Sequence, residues 1–227
     1  MSAKPAARSR PHTLLIVDDH PLFREGLVHL IQQERDLAVC GEAGTAGEAL
    51  TLVEKLRPSL VLLDISLPDR NGLELIKDLH TLRPQLPVLV ISMHDESLHA
   101  ERVLRAGARG YIMKQEGGGK ILEAIRQVLA GQIYVSDKMS ALLLERLAGQ
   151  RPRGSRSPIE RLSDREFEVF SLLGHGLATR EIARRLSLSI KTVEVHRANI
   201  KRKLGLRTAT ELVRHAVRWV ETDGREI

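Results

Sequence analysis

Five polar positions in the first half of the chain carry its chemistry: Asp18 and Asp19, Asp64, Ser92 and Lys114. Each stands where a short apolar run ends. Three carboxylates brought together repel one another, and their charge calls for a compensating cation. A hard divalent ion with oxygen ligands and several retained waters meets that need, which points to Mg²⁺. Asp64 is then placed as a nucleophile toward phosphorus. Lys114 and the metal would neutralise charge on the transferring phosphoryl group, and the Ser92 hydroxyl would hydrogen-bond one of its oxygens.

The elements that must bring these residues together are legible in the hydrophobic pattern. Apolar runs at Leu14–Val17, Leu37–Cys40, Leu60–Leu63, Val88–Ile91 and Gly110–Met113 alternate with amphipathic stretches. Those stretches are Pro21–Gln33, Ala46–Leu56, Gly72–Leu82, Glu96–Ala106 and Lys120–Leu129. Continuous apolar strands alternating with helices predict a parallel sheet covered on both faces. Five units make a doubly wound, five-stranded α/β fold, with ligands at the carboxyl ends of the strands. That is the edge on which the five polar residues converge. A single strand end meets solvent often enough to carry Asp or Ser by chance; five at once do not.

From Gly131 the pattern breaks. Lys138–Leu147 reads as a short helix capped by Asp137 or Ser136, and the Gly/Pro/Ser/Arg run from Gly149 to Pro158 as a linker. Beyond it every run has helical period, with a capping box at Ser163-Asp-Arg-Glu166 and helices at about 164–173, 179–186, 190–204 and 208–219. Charge follows the same division. Residues 1–130 hold 16 Lys/Arg and 17 Asp/Glu, whereas residues 131–227 hold 19 and 12. Nine basic residues fall between Arg180 and Arg207 against Glu181 and Glu194. A basic back half faces a polyanion. Six aromatics in 227 residues are too few for stacking platforms on single strands, which favours duplex DNA.

The helices at 179–186 and 190–204, with a tight turn between them, have helix-turn-helix spacing. Val193, Ile200 and Leu204 form the inward face of the second. Its outer face carries Lys191, Glu194, Val195, Ala198, Lys201 and Arg202, with short side chains early and bases late, and Thr192 and Arg197 join them as candidate DNA contacts. That distribution suits entry into a major groove flanked by phosphates, Lys201 and Arg202 contacting the phosphates.

The motifs Leu-Ile-Val-Asp-Asp-His20, Leu-Leu-Asp64-Ile-Ser-Leu-Pro68, Gly72, Ser92 and Gly-Tyr111-Ile-Met-Lys114 resemble a bacterial response-regulator receiver domain, over residues from about 12 to 130. Leu162-Ser-Asp-Arg-Glu-Phe-Glu-Val-Phe170, Glu181-Ile-Ala183, the run Leu188–Ile200 and Lys203-Leu-Gly-Leu206 resemble a LuxR-type DNA-binding domain over roughly 158–222. The pair is similar to NarL/FixJ-family response regulators. The resemblance implies a flavodoxin-like receiver at 12–130, a connecting segment at 131–157 with a short helix, and an all-α, four-helix domain at 158–222. It implies that Asp64 accepts a phosphoryl group from the phosphohistidine of a sensor histidine kinase. Asp18, Asp19, Asp64 and the Ser66 carbonyl would hold Mg²⁺, Ser92 and Tyr111 would form a hydroxyl–aromatic switch pair, and Lys114 would pair with the phosphate. The expected product is a cytoplasmic transcription factor that binds promoter DNA, meets RNA polymerase and dimerises on phosphorylation. Gln115 stands where many receivers have proline, so a looser loop is expected after Lys114.

Other classes fit less well. An aspartate-based phosphatase of the haloacid type wants Asp-x-Asp on its first strand, whereas Asp64 follows the third and position 66 is Ser. A constitutive DNA-binding regulator with an inactive receiver would not need all five site residues. No G-x-G-x-x-G follows the first strand, and Gly117-Gly-Gly-Lys120 fails as a phosphate loop. One cysteine, Cys40, leaves no disulfide framework or cysteine-based zinc site and reads as core. No apolar run is long enough to span a membrane, and the basic start lacks the apolar core of a secretory signal.

Overall fold

The computed structural model describes residues 10–93, 96–147, 158–186 and 188–222. The N-terminal basic stretch and residues 149–157, read above as linker, lie outside the described residues. The N-terminal unit runs β1 (His12–Val17), α1 (Pro21–Gln32), β2 (Leu37–Ala43), α2 (Ala46–Leu56), β3 (Leu60–Leu63), α3 (Gly72–Leu82), β4 (Val88–Ser92), α4 (Glu96–Ala106), β5 (Gly110–Met113) and α5 (Gly118–Leu129). The strands form one all-parallel sheet in the order β2-β1-β3-β4-β5.

Strand alternation divides the apolar runs between two cores. Leu15, Val17, Val61 and Leu63 face α2, α3 and α4, while Leu14, Ile16, Leu60 and Leu62 face α1 and α5. These side chains are essentially fully buried, each contributing roughly 1.5–3 kcal/mol on removal from water. β2 is longer than its apolar run because it continues along β1 past a bulge: Leu14 faces Val39, Leu15 faces Gly41, and Cys40 is the extra residue. The Cys40 thiol donates to the Leu14 carbonyl at 3.3 Å, and burial pushes its pKa up. A Cβ on Gly41 would come within 2.7 Å of a Leu56 methyl and 3.3 Å of one on Leu15, so a larger residue there would push those side chains aside.

Residues after α5 stay on the sheet. Tyr134 brackets the edge of β5, accepting from the Tyr111 N–H at 2.8 Å and donating to the Arg109 carbonyl at 3.0 Å. α6 (Asp137–Leu147) then packs Met139 into the core shared by α4 and Tyr111. Its first turn is tied down by the Ser136 N–H donating to Glu96.

The C-terminal unit is helical: a 3₁₀ turn (Pro158–Arg161), α7 (Asp164–Gly174), α8 (Thr179–Arg185), α9 (Ile190–Leu204) and α10 (Ala209–Glu221). The capping box at Ser163 and Glu166 starts α7, Ser189 caps α9 through the Thr192 N–H, and Gly205 ends α9 at φ 70°. Phe167, Phe170, Ile182, Val193, Ile200, Leu212 and Trp219 make its core. Gly174 lets α7 and α10 touch, because a Cβ there would lie 2.6 Å from the Ala216 carbonyl oxygen. Among the described residues no helix is long and apolar enough to cross a membrane.

Candidate functional site

The parallel ladders continue one residue past the strands, which is what gathers the polar ends. The Asp64 N–H donates to the Val17 carbonyl at 2.8 Å, and the Lys114 N–H to the Ser92 carbonyl at 2.8 Å. Asp18 and Asp64 therefore stand side by side, and Lys114 reaches across from β5. Its ammonium lies 2.7 Å from Asp64 Oδ2 and 2.6 Å from Asp18 Oδ2, and 4.6 Å from the Phe23 ring centroid. All three side chains are buried. Burial pushes the Asp64 carboxyl up from its ordinary range, and the Lys114 charge draws it part of the way back.

The loop after β3 is built to hold Asp64. The Ser66 N–H donates to Asp64 Oδ1 at 3.1 Å, and Ser66 bridges back to Asn71. Asn71 caps α3 through the Leu73 N–H at 2.7 Å. Gly72 closes the loop, since a Cβ would sit 2.4 Å from the Ile65 Cα. Asp69 pins the same loop to the start of α2, accepting from the Ala46 and Gly47 N–H groups.

Asp19 is the solvent-facing member of the cluster, one-third exposed. Three carboxylates against one ammonium leave an oxygen-rich pocket with surplus negative charge, which suits a hard divalent cation. One group escaped sequence reasoning. His20 places Nδ1 2.7 Å from Asp19, 3.1 Å from Asp18 and 3.9 Å from Asp64. Its adjacency to Asp19 was the available signal. Ser92 and Tyr111 are both fully buried, so the aromatic ring already lies inward. The turn after Lys114 is closed by the Glu116 N–H donating to the Met113 carbonyl at 3.0 Å.

On α9 the outward residues Lys191, Glu194, Val195, Ala198 and Arg202 are exposed, while Thr192 and Lys201 are half-buried. Thr192 is bound up with Ser189 in the helix cap. Arg197 does not join the outer group. Its guanidinium turns onto Thr179 and Glu194, tying α8 to α9. Lys203 likewise points inward, 2.6 Å from the buried Glu166. Burial pushes the Glu166 carboxyl up, but Lys203 and the Ser163 hydrogen bonds outweigh it and hold the group below its ordinary range.

The two units dock through α4 and α7. Arg102 donates to the carbonyls of Ile159 and Leu162, both at 3.1 Å, approaches Asp164 at 3.3 Å, and stacks 4.3 Å from the Phe167 ring centroid. Lys77 of α3 pairs with Asp164 at 2.8 Å. Overall charge would have brought the near-neutral unit onto the basic α9. The contact runs the other way, with cations of the first unit gripping an acid of the second. The outward face of α9 stays open.

The description "Response regulator receiver domain" matches residues 14–126, and "Bacterial regulatory proteins, luxR family" matches residues 160–216. The chain is 33% identical over 219 residues to the nitrate/nitrite response regulator NarL of Escherichia coli K12, covering 96% of this chain and 98% of that protein. It is 34% identical over 209 residues to the oxygen regulatory protein NreC of Staphylococcus aureus, covering 90% and 96%. Among solved structures, RcsB of Salmonella enterica serovar Typhimurium, bound to promoter rprA in the presence of phosphomimetic BeF₃⁻, superposes with a TM-score of 0.64. That match has 26% identity and covers 92% of this chain and 99% of that one.

Proposed function

This chain belongs to the NarL/FixJ-family two-component response regulators, a receiver joined to a LuxR-type DNA-binding domain, and we propose that phosphorylation of Asp64 controls its grip on promoter DNA. The observation that carries this reading is the Lys114 ammonium held between Asp64 and Asp18 at the strand edge. The domains are residues 12–130 and 158–222, joined by 131–157.

An Asp64 carboxylate oxygen attacks the phosphorus of a phosphohistidine on a sensor kinase. The O–P bond forms as the P–N bond breaks, and the imidazole departs. Lys114 stays beside the new phosphoryl group and pairs with its oxygens, while Ser92 donates its hydroxyl. Asp18, Asp19, Asp64 and the Ser66 carbonyl would hold Mg²⁺, which would supply neutralisation of the phosphoryl charge. The chain acts as a phosphoacceptor and DNA-binding regulator rather than as an enzyme, in the cytoplasm. On α9, Glu194, Val195 and Ala198 face base edges, with Lys191, Lys201 and Arg202 toward phosphates. Thr192 and Arg197 shape the helix start and its seat on α8.

α4 links the two events. In the docked arrangement it carries α6 on one side and the DNA-binding domain at Arg102 on another. A second receiver pairing across residues 95–130 must displace that contact, so docking and dimerisation compete. The dimer then presents two DNA-binding domains to two half-sites and to RNA polymerase.

The direct test is phosphate incorporation from the cognate kinase with Mg²⁺. Asp64→Asn keeps the shape and removes the nucleophile, so incorporation falls to background. Incorporation at the wild-type rate would refute the assignment.

A further inference from the structure

A cavity of about 460 Å³ lies in the seam between the receiver and the DNA-binding domain. Ligand sites of roughly 300–1,000 Å³ favour such seams, apolar in most of their lining and polar at a few points. Ile65, Leu67 and Leu73 line it from the receiver, and Phe167, Leu172 and Leu186 from the other domain. Asp19, His20 and Ser66 also line it, so the cavity opens at one side onto the phosphoacceptor site.

Charge decides what it would take. Of the acids on its wall, Asp164 is held by Lys77 and Arg102 and Glu168 by Arg165, while Asp19 belongs to the carboxylate cluster of the phosphoacceptor site. Arg184 and Arg185, in the last turn of α8, also line the cavity and have no ion-pair partner among the described residues. The DNA-binding-domain wall of the cavity therefore carries unpaired positive charge beside its apolar side chains. We propose that this seam is a binding site for a small organic anion with an apolar body, such as a medium-chain or aromatic carboxylate. Its apolar part lies between Leu73 and Phe167, and its carboxylate meets Arg184 and Arg185. Because both domains supply the walls, such a ligand binds the docked arrangement. The proposal does not require that Asp64 be phosphorylated.

Calorimetric titration of the full, unphosphorylated chain with sodium decanoate below its micelle concentration tests this. Fluorescence of Trp219, the chain's one tryptophan, gives a second readout, because its ring lies 5.3 Å from the Phe167 ring. Saturable binding is expected, with decanol much weaker. The double variant Arg184→Ala/Arg185→Ala should lose roughly tenfold or more in affinity, as expected for charge-assisted hydrogen bonds. Both arginines are exposed, so the variant should fold normally. Arg102→Ala, which removes the docking contact to Asp164 and Phe167 on the cavity wall, should weaken binding as well. Three results would overturn the proposal: no saturable binding, decanol binding as well as decanoate, or unchanged affinity in the arginine double variant. Unchanged affinity in Arg102→Ala would show that the ligand does not bridge the domains, and would equally overturn it.

Discussion

Single residues in this chain do their work by where their charge is allowed to go. Lys114 is useful because it is buried between two carboxylates, and Asp64 because the ladder to Val17 fixes its backbone. Both were legible as strand-end residues. His20 was not, since its importance depends on a side-chain turn that brings one nitrogen to two carboxylates. Glu166 shows the same logic away from the site. Its carboxyl is buried at the centre of the helical domain, and Lys203 holds it ionised. A group whose folded pKa is depressed adds stability that is complete above its unfolded value, near 4.5, and is lost as pH falls through the folded value. Lys203→Met strands that charge and should cost about 2 kcal/mol near neutral pH. Urea unfolding followed by Trp219 fluorescence reports on this domain. The variant's loss of stability on acidification should shrink, because Glu166 then gains from protonation. An unchanged pH profile would show that the pair is not what stabilises the domain.

At the scale of elements, the period of the apolar residues located every strand and helix of the receiver to within a few positions. Where it fell short there is a local cause. β2 outran its apolar run because a bulge at Cys40 let the ladder continue to Ala43. Residues 132–147 are bound to β5 and α4 through backbone and apolar contacts that no local pattern encodes. On α9, Arg197 was a candidate DNA contact, but it shares the side of Val193 and Ile200, and its side chain reaches Thr179 and Glu194. Lys201 and Arg202 are the residues proposed for phosphate contacts. Replacing either with Ala should weaken binding to specific and random duplexes alike and lower the salt slope by roughly one unit. Arg197→Ala should instead loosen the α8–α9 junction, leaving the salt slope close to wild type. Slopes measured by titrating DNA at several salt concentrations separate the two roles. A reversed pattern would exchange the assignments.

At the scale of the whole molecule, the net charges of the two halves do not give the geometry by which they meet. The decisive contacts span more than fifty residues, from Arg102 to Ile159 and Leu162, and use the minority charge of each domain. Arg102→Ala removes hydrogen bonds to two carbonyls and a partly buried carboxylate. A loss of about 2 kcal/mol would shift the docking equilibrium roughly thirtyfold. Small-angle scattering should then show a more extended chain without phosphate, and sedimentation a higher fraction of dimer. Profiles identical to wild type would mean that Arg102 does not hold the domains together. The most direct measurement joins the receiver to the DNA. The wild-type chain and Asp64→Asn are each titrated onto one duplex, selected from a randomised pool, before and after incubation with acetyl phosphate and Mg²⁺. Wild type should bind at least several-fold tighter after treatment and sediment as a dimer, while Asp64→Asn stays unchanged in both. Phosphate incorporated into the wild type with neither affinity nor oligomeric state altered, or an equal response from Asp64→Asn, would contradict control of DNA binding through Asp64.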